Sequence, residues 1–265
     1  MPSVLLVGGG RMGGALLAGW VERGLAPSVV VDPAPEAARL GGASVQVVAA
    51  PDGVPAGFAP AAVVLAVKPQ EAARVLPSYA RLAPDAVFLS IMAGRTLSGM
   101  RALLGEPAAI VRAMPNTPAA IRQGVTVACP GAGVTAAQRA LCDTLLASVG
   151  EVAWVEAETL LDPVTAVSGS GPAYVFLLAE LLERAAMEQG LPADLARLLA
   201  RRTVAGAGAL LAASAEDAAT LRRAVTSPKG TTERALAVLM DEAAWPQAIS
   251  EAVAAAAARS RELAG

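Results

Sequence analysis

Ser3-Val-Leu-Leu-Val7-Gly8-Gly9-Gly10-Arg11-Met12-Gly13-Gly14 stands at the start of the chain, and its reading decides the fold. The apolar run Ser3 to Val7 reads as a strand buried on both faces, and Ala15 to Val21 reads as a helix. Between them the glycines fall in the G-x-G-x-x-G spacing at Gly8, Gly10 and Gly13. Gly8 permits a tight turn, Gly10 lets backbone approach a pyrophosphate, and Gly13 lets the helix pack on the strand, while the helix N-terminus attracts phosphate. The spacing alone is weak, but here strand, turn and helix follow in the required order, which points to a dinucleotide cofactor.

Working outward, short β-branched runs alternate with helical stretches up to about residue 156, the pattern of βα units over a mostly parallel sheet. Strands are expected at Ser3–Val7, Ser28–Val31, Val45–Val48, Ala62–Val67, Ala86–Ile91, Ala109–Arg112, Val125–Ala128 and Val152–Val155. Thr135 and Gln138 have capping-box spacing and open a helix through Leu141, Leu145 and Leu146. Beyond Glu158 the β-branched runs stop, and helices are expected at Gly171–Gln189, Ala193–Ala213, Ala218–Val225, Thr232–Leu239 and Ala244–Leu263. The expected organisation is therefore an α/β Rossmann-type domain over residues 1–157 and an all-α domain over 158–265.

Composition narrows the function. With 265 residues, 55% of them hydrophobic, the chain can bury a large core. A net charge of -2 offers no basic surface to nucleic acid or anionic lipid. There is no histidine, which excludes a Ser-His-Asp triad and nearly every zinc site, so no metal is expected. Cys129 and Cys142 form no CxxC pair and read as buried thiols. The N-terminus lacks a secretory pattern, and apolar stretches such as Ala205 to Ala213 are too short for a bilayer, so a cytoplasmic chain without a membrane role is expected. Leu198, Leu199, Val204, Leu210 and Leu211 exceed what one small helical domain can cover, so a homodimer or higher homo-oligomer is expected.

Asp32 ends the second strand, about 20 residues after the glycines, where an acidic side chain accepts from the adenine ribose hydroxyls and repels a 2′-phosphate. The other reading is that Asp32-Pro33 caps the next turn, with Arg11 and Arg39 left to meet a phosphate. NADH and NADPH both stay open on these residues.

Further segments are more specific: Val67-Lys68-Pro69-Gln70, Ser90-Ile-Met-Ala-Gly94, Arg112-Ala-Met-Pro-Asn116-Thr117-Pro118, Ser168-Gly-Ser170-Gly171-Pro172-Ala-Tyr174 and Val225-Thr-Ser227-Pro-Lys-Gly230-Thr231-Thr232. In this order, over essentially the whole chain, they resemble the pyrroline-5-carboxylate reductases. The resemblance implies hydride transfer from NADPH by family default, with NADH left open by Asp32, to the cyclic imine pyrroline-5-carboxylate, giving proline, on helical-domain dimers. It implies that Gly8, Gly10, Arg11, Met12, Gly13, Asp32, Val67, Lys68, Pro69, Ala93, Met114 and Asn116 border the cofactor. It also implies that Ser227, Gly230, Thr231 and Thr232 hold the substrate, with Thr232 the favoured catalytic hydroxyl. The start of the helix after Gly230 suits the substrate carboxylate on physical grounds as well.

Two positions depart from the family pattern. Lys229 replaces a second glycine, and Arg11 replaces an asparagine. A β-hydroxyacid dehydrogenase shares the glycine-rich start but needs a lysine after the helix-opening glycines, where this chain has Ala173-Tyr-Val-Phe-Leu177. A dinucleotide-binding protein without turnover is the remaining alternative.

Overall fold

The computed structural model describes Met1 to Ala264. One sheet holds eight strands: β1 Val4–Val7, β2 Ser28–Val31, β3 Val45–Val48, β4 Ala62–Leu65, β5 Val87–Ser90, β6 Ala109–Met114, β7 Gly124–Pro130 and β8 Gly150–Trp154. Their spatial order is β3-β2-β1-β4-β5-β6-β7-β8. All neighbours pair in parallel except β6 with β7. The exception follows from chain length, because only a 3-10 turn at Thr117–Ile121 joins β6 to β7, too short for a parallel crossover.

Strands β1, β2, β4, β5 and β6 are buried along their length because both faces are covered, whereas the edge strand β3 buries only Val45. Leu6, Leu16, Trp20, Val64 and Leu145 fill the core on one face. Leu5, Val63, Leu76, Phe88, Met100 and Ile110 fill the other.

The helices are α1 Arg11–Glu22, α2 Ala72–Val75, α3 Leu97–Leu104, α4 Ala136–Leu146, α5 Leu161–Val164, α6 Gly171–Glu188, α7 Ala193–Ala213, α8 Ala218–Ala224, α9 Thr231–Leu239 and α10 Trp245–Ala264. The capping box at Thr135 and Gln138 is formed at the start of α4. Several connections in the first half are 3-10 turns with proline near their starts, at Pro35, Pro51 and Pro69, instead of full α-helices. Proline removes a backbone donor and suits a first turn, which keeps these links short.

Two compact units result, one of Met1–Gly169 with the chain from Ala256 onward, the other of Ser170–Ala255. The second unit contains the pair α6 and α7, joined through Gly190 at φ 88° and by Arg197 Nε to Glu183 Oε1 at 3.1 Å. Apolar side chains are left uncovered in it: Phe176 is 68% exposed, Leu198 54% and Leu210 56%. Leu199 and Leu211 are exposed too, while Val204 is half-buried.

One sequence expectation needs correction. The run 158–188 is helical apart from a bend at Ser170, because a 3-10 turn, α5, a π-helical turn at Thr165–Gly169 and α6 follow one another closely. Among the described residues it is the one run long and apolar enough to cross a membrane by length and composition, with mean hydropathy 1.3 and 6% of its apolar window buried.

Candidate active site

The registers place the strand ends in a row. Val31 pairs with Val7, Val7 with Leu65, Leu65 with Ser90 and Ser90 with Arg112. Because these strands are parallel, the residues that follow them leave along one carboxyl edge of the sheet. Gly8, Asp32, Val67, Lys68, Pro69 and Ala93 follow strands along that edge, with Met114 ending β6 and Asn116 just after it. The glycine loop leaves β1 where the order turns from β1 to β4, the switch point at which open α/β sheets bind ligands.

Close backbone approach explains the glycines there. A β-carbon on Gly8, held at φ 100°, would stand 2.7 Å from the Ala66 carbonyl oxygen, and one on Gly13 would collide with the Gly8 carbonyl oxygen. Around Gly10 a β-carbon would meet nothing within 4 Å, so that position faces open space. Gly10 is the N-cap of α1, no side chain caps this helix, and its first turn carries no acid. Arg11 is its first residue and is exposed, while Met12 is half-buried against the core. An open, uncapped helix start with a cation beside it fits a pyrophosphate.

Asp32 is held between the glycine loop and the turn after β2. Its Oδ2 accepts from the Gly9 amide at 2.6 Å, and its Oδ1 accepts from the Ala34 amide at 2.8 Å. The carboxylate thus both caps the next turn and fixes the glycine loop. Each oxygen retains a second lone pair for another donor.

Along the edge, Lys68 is exposed and precedes a 3-10 turn. The Pro69 carbonyl accepts from Arg95 Nε at 2.7 Å, which ties the loop after β4 to the loop after β5. Ala93 is exposed. Met114 is buried beside Cys129 and Leu161. Asn116 uses its side-chain Oδ1 to accept from the Val125 amide at 2.9 Å, which pins the turn into β7.

The sequence reading missed two residues here. Arg112 is buried in β6 and donates through Nη1 to Glu158 Oε1 at 2.8 Å, and the same oxygen accepts from the Leu97 amide at 2.8 Å. A charged residue inside an apolar strand demands such a partner, and that is the signal Arg112 offered. Arg95 gave no comparable signal.

In the second unit, α9 begins at Thr231, one residue before the expected Thr232, with Gly230 as its N-cap and no side-chain cap. The Gly230 amide donates to the Ser227 carbonyl at 3.0 Å, closing the turn. A β-carbon on Gly230 would lie 2.6 Å from Ser227 Oγ. Lys229 adopts φ 61°, the left-handed conformation that glycine takes without strain, and its amide donates to Glu233 Oε2 at 2.8 Å. Ser227, Gly230, Thr231 and Thr232 are therefore gathered at one uncapped helix start.

An open α/β unit with a glycine-lined helix start at its switch point is an arrangement that binds dinucleotides, and here a helical unit follows it. Residues 158–263 match the pyrroline-5-carboxylate reductase dimerisation family, and residues 3–94 match the NADP oxidoreductase coenzyme F420-dependent family. The pyrroline-5-carboxylate reductase of Pseudomonas aeruginosa is 38% identical, with 99% of this chain and 97% of that protein covered. The solved pyrroline-5-carboxylate reductase of Coxiella burnetii has a TM-score of 0.90 at 32% identity, covering 100% of this chain and 99% of that one. The Plasmodium falciparum pyrroline carboxylate reductase with NADP bound has a TM-score of 0.83 at 25% identity, covering 100% and 98%. The chain belongs to the pyrroline-5-carboxylate reductase family. The β-hydroxyacid dehydrogenase reading falls away accordingly.

Proposed function

We infer that this chain reduces pyrroline-5-carboxylate to proline, the last step of proline biosynthesis, with NADH or NADPH as reductant. Full-length kinship with reductases of that name carries the reading. When bound, the nicotinamide supplies a hydride to the imine carbon. The chain's own residues bind and orient. The amides at the start of α1 take the pyrophosphate, and Asp32 takes the adenine ribose. Lys68, Pro69, Ala93, Met114 and Asn116 border the nicotinamide half.

The uncapped amides at the start of α9, with the Ser227 and Thr231 hydroxyls, receive the substrate carboxylate. Thr232 hydrogen-bonds the imine nitrogen. With no histidine in the chain, the proton on that nitrogen comes with the substrate as iminium, from the Thr232 hydroxyl, or through water.

Asp32 favours NADH, because a carboxylate fixed at the end of β2 repels a 2′-phosphate. The unit of Ser170–Ala255 serves as the dimerisation and substrate-binding domain, and the exposed apolar side chains of α6 and α7 meet a second copy. That assignment gives the apolar run 158–188 a protein partner in place of lipid, in a cytoplasmic enzyme. The test is absorbance of NADH or NADPH on addition of pyrroline-5-carboxylate. Imine-dependent oxidation supports the reading, and its absence with both cofactors favours a non-catalytic dinucleotide binder.

A further inference from the structure

The end of α10 packs with the sheet-bearing unit, where Ala257 and Ser260 are buried. Ser260 Oγ donates to Asp162 Oδ1 in α5 at 2.7 Å. One turn further, the Leu263 backbone lies against the turn after β5. A β-carbon on Gly94 would stand 2.9 Å from the Leu263 carbonyl oxygen and 3.0 Å from its Cβ. Gly94 also sits at φ 66°, so conformation and space both require glycine there.

Gly94 is flanked by two residues that matter to the edge of the sheet. Ala93 is exposed, and Arg95 donates to the Pro69 carbonyl. A contact on Gly94 therefore reaches the turn after β5 directly and the Lys68-Pro69 turn through Arg95.

We propose that the last two turns of α10 are a positioning element for cofactor binding: anchored on Asp162 by Ser260, they brace Gly94 and so hold the walls assigned to the nicotinamide half. The proposal rests on the reading of Ala93, Lys68 and Pro69 as that wall. The glycine loop and Asp32, assigned to the adenosine half, are fixed by Gly9 and Ala34 and do not depend on this brace. Removing it should therefore weaken the whole dinucleotide while sparing its adenosine part.

The experiment compares the wild type with a chain ending at Arg259 and with full-length Ser260→Ala. Equilibrium affinities for NADH, NADPH and ADP are measured by fluorescence, and oligomer size by light scattering. The shortened chain is expected to keep its oligomer size and bind both dinucleotides about tenfold more weakly, since small misplacements of a binding wall are costly. Ser260→Ala is expected to lose about fivefold, the scale of one hydrogen bond. ADP affinity should stay unchanged in both. Asp162→Asn, which keeps an acceptor oxygen, should bind near wild type, whereas Asp162→Ala should match Ser260→Ala.

Wild-type dinucleotide affinity in Ser260→Ala would overturn the proposal, as would an equal loss for ADP. If the shortened chain does not fold, Ser260→Ala decides alone. A wild type that binds dinucleotide but does not turn over the imine counts against the substrate reading, and the binding comparison stands on its own.

Discussion

The Asp32 carboxylate accepts the Gly9 amide at 2.6 Å, so the acid that ends β2 is locked to the glycine loop that ends β1. The selectivity proposed for Asp32 and the shape of the glycine loop therefore rest on one side chain. Like-charge repulsion across a few ångströms in a partly exposed site is on the order of 1 kcal/mol or more. Asp32→Ser is expected to raise the ratio of kcat/KM for NADPH over NADH about tenfold, and to raise KM for both by loosening Gly9. An unchanged ratio would leave Asp32 as a turn residue only.

Lys229 occupies a left-handed conformation at φ 61°. For a residue with a β-carbon that costs roughly 1–2 kcal/mol, partly offset by the greater freedom of glycine in the unfolded chain. Lys229→Gly is expected to raise the melting temperature, by about 1 kcal/mol of stability. It should also raise KM for the anionic imine, more at low salt than at high salt, through loss of the charge. A lower melting temperature in thermal unfolding would contradict the strain argument.

Phe176 and Leu198 are large, apolar and exposed in the isolated chain. Burial in a dimer contributes on the order of 1.5–3 kcal/mol for each side chain. Phe176→Glu with Leu198→Glu is expected to yield monomers at micromolar concentration in sedimentation runs. Dimers of wild-type affinity in the double mutant would place the interface elsewhere.

Much of this was legible because the signals were local. Ser28–Val31, Val45–Val48 and Ala193–Ala213 were marked out by period and punctuation, and the Thr135 box by a spacing of three. What escaped depends on partners distant in sequence. Nothing near Arg112 announces Glu158, and nothing near Ser260 announces Asp162. The proline-rich links after β2, β3 and β4 were also hard to read, because tight 3-10 turns leave little periodic pattern. Among the candidate site residues, those on the glycine loop were given by spacing, whereas Lys68, Ala93 and Asn116 came from resemblance.

Burial pushes the Cys142 thiol up to about 12, with the Asp143 charge adding to it, and burial raises Cys129 as well. Both thiols should resist an aromatic disulfide reagent at neutral pH until the protein unfolds. A group whose folded pKa is raised stabilises the fold fully below its unfolded value, about 8.5 for a thiol. Its contribution is lost as pH rises from there toward about 12 for Cys142. Stability should therefore fall with alkali over that window, and less steeply in Cys142→Ala once its lower baseline is subtracted. Rapid labelling of the native protein at neutral pH would contradict this account of the two sites.

Thr232 is assigned to the imine nitrogen at the uncapped start of α9. Thr232→Ala should lower kcat by about 10²-fold or more if the hydroxyl assists proton transfer, and Thr232→Ser should recover much of it. A change in KM alone would mean that it only positions the ring.

The central claim is hydride transfer to an imine carbon, and an isotope reads it directly. Pyrroline-5-carboxylate is reduced with NADH or NADPH deuterated at the transferring carbon of the nicotinamide, and the proline formed is examined by mass spectrometry and NMR. The expected result is proline with one deuterium, at the carbon that was the imine carbon, and with a single stereochemistry. Proline without deuterium, or no proline with either cofactor, would contradict the account.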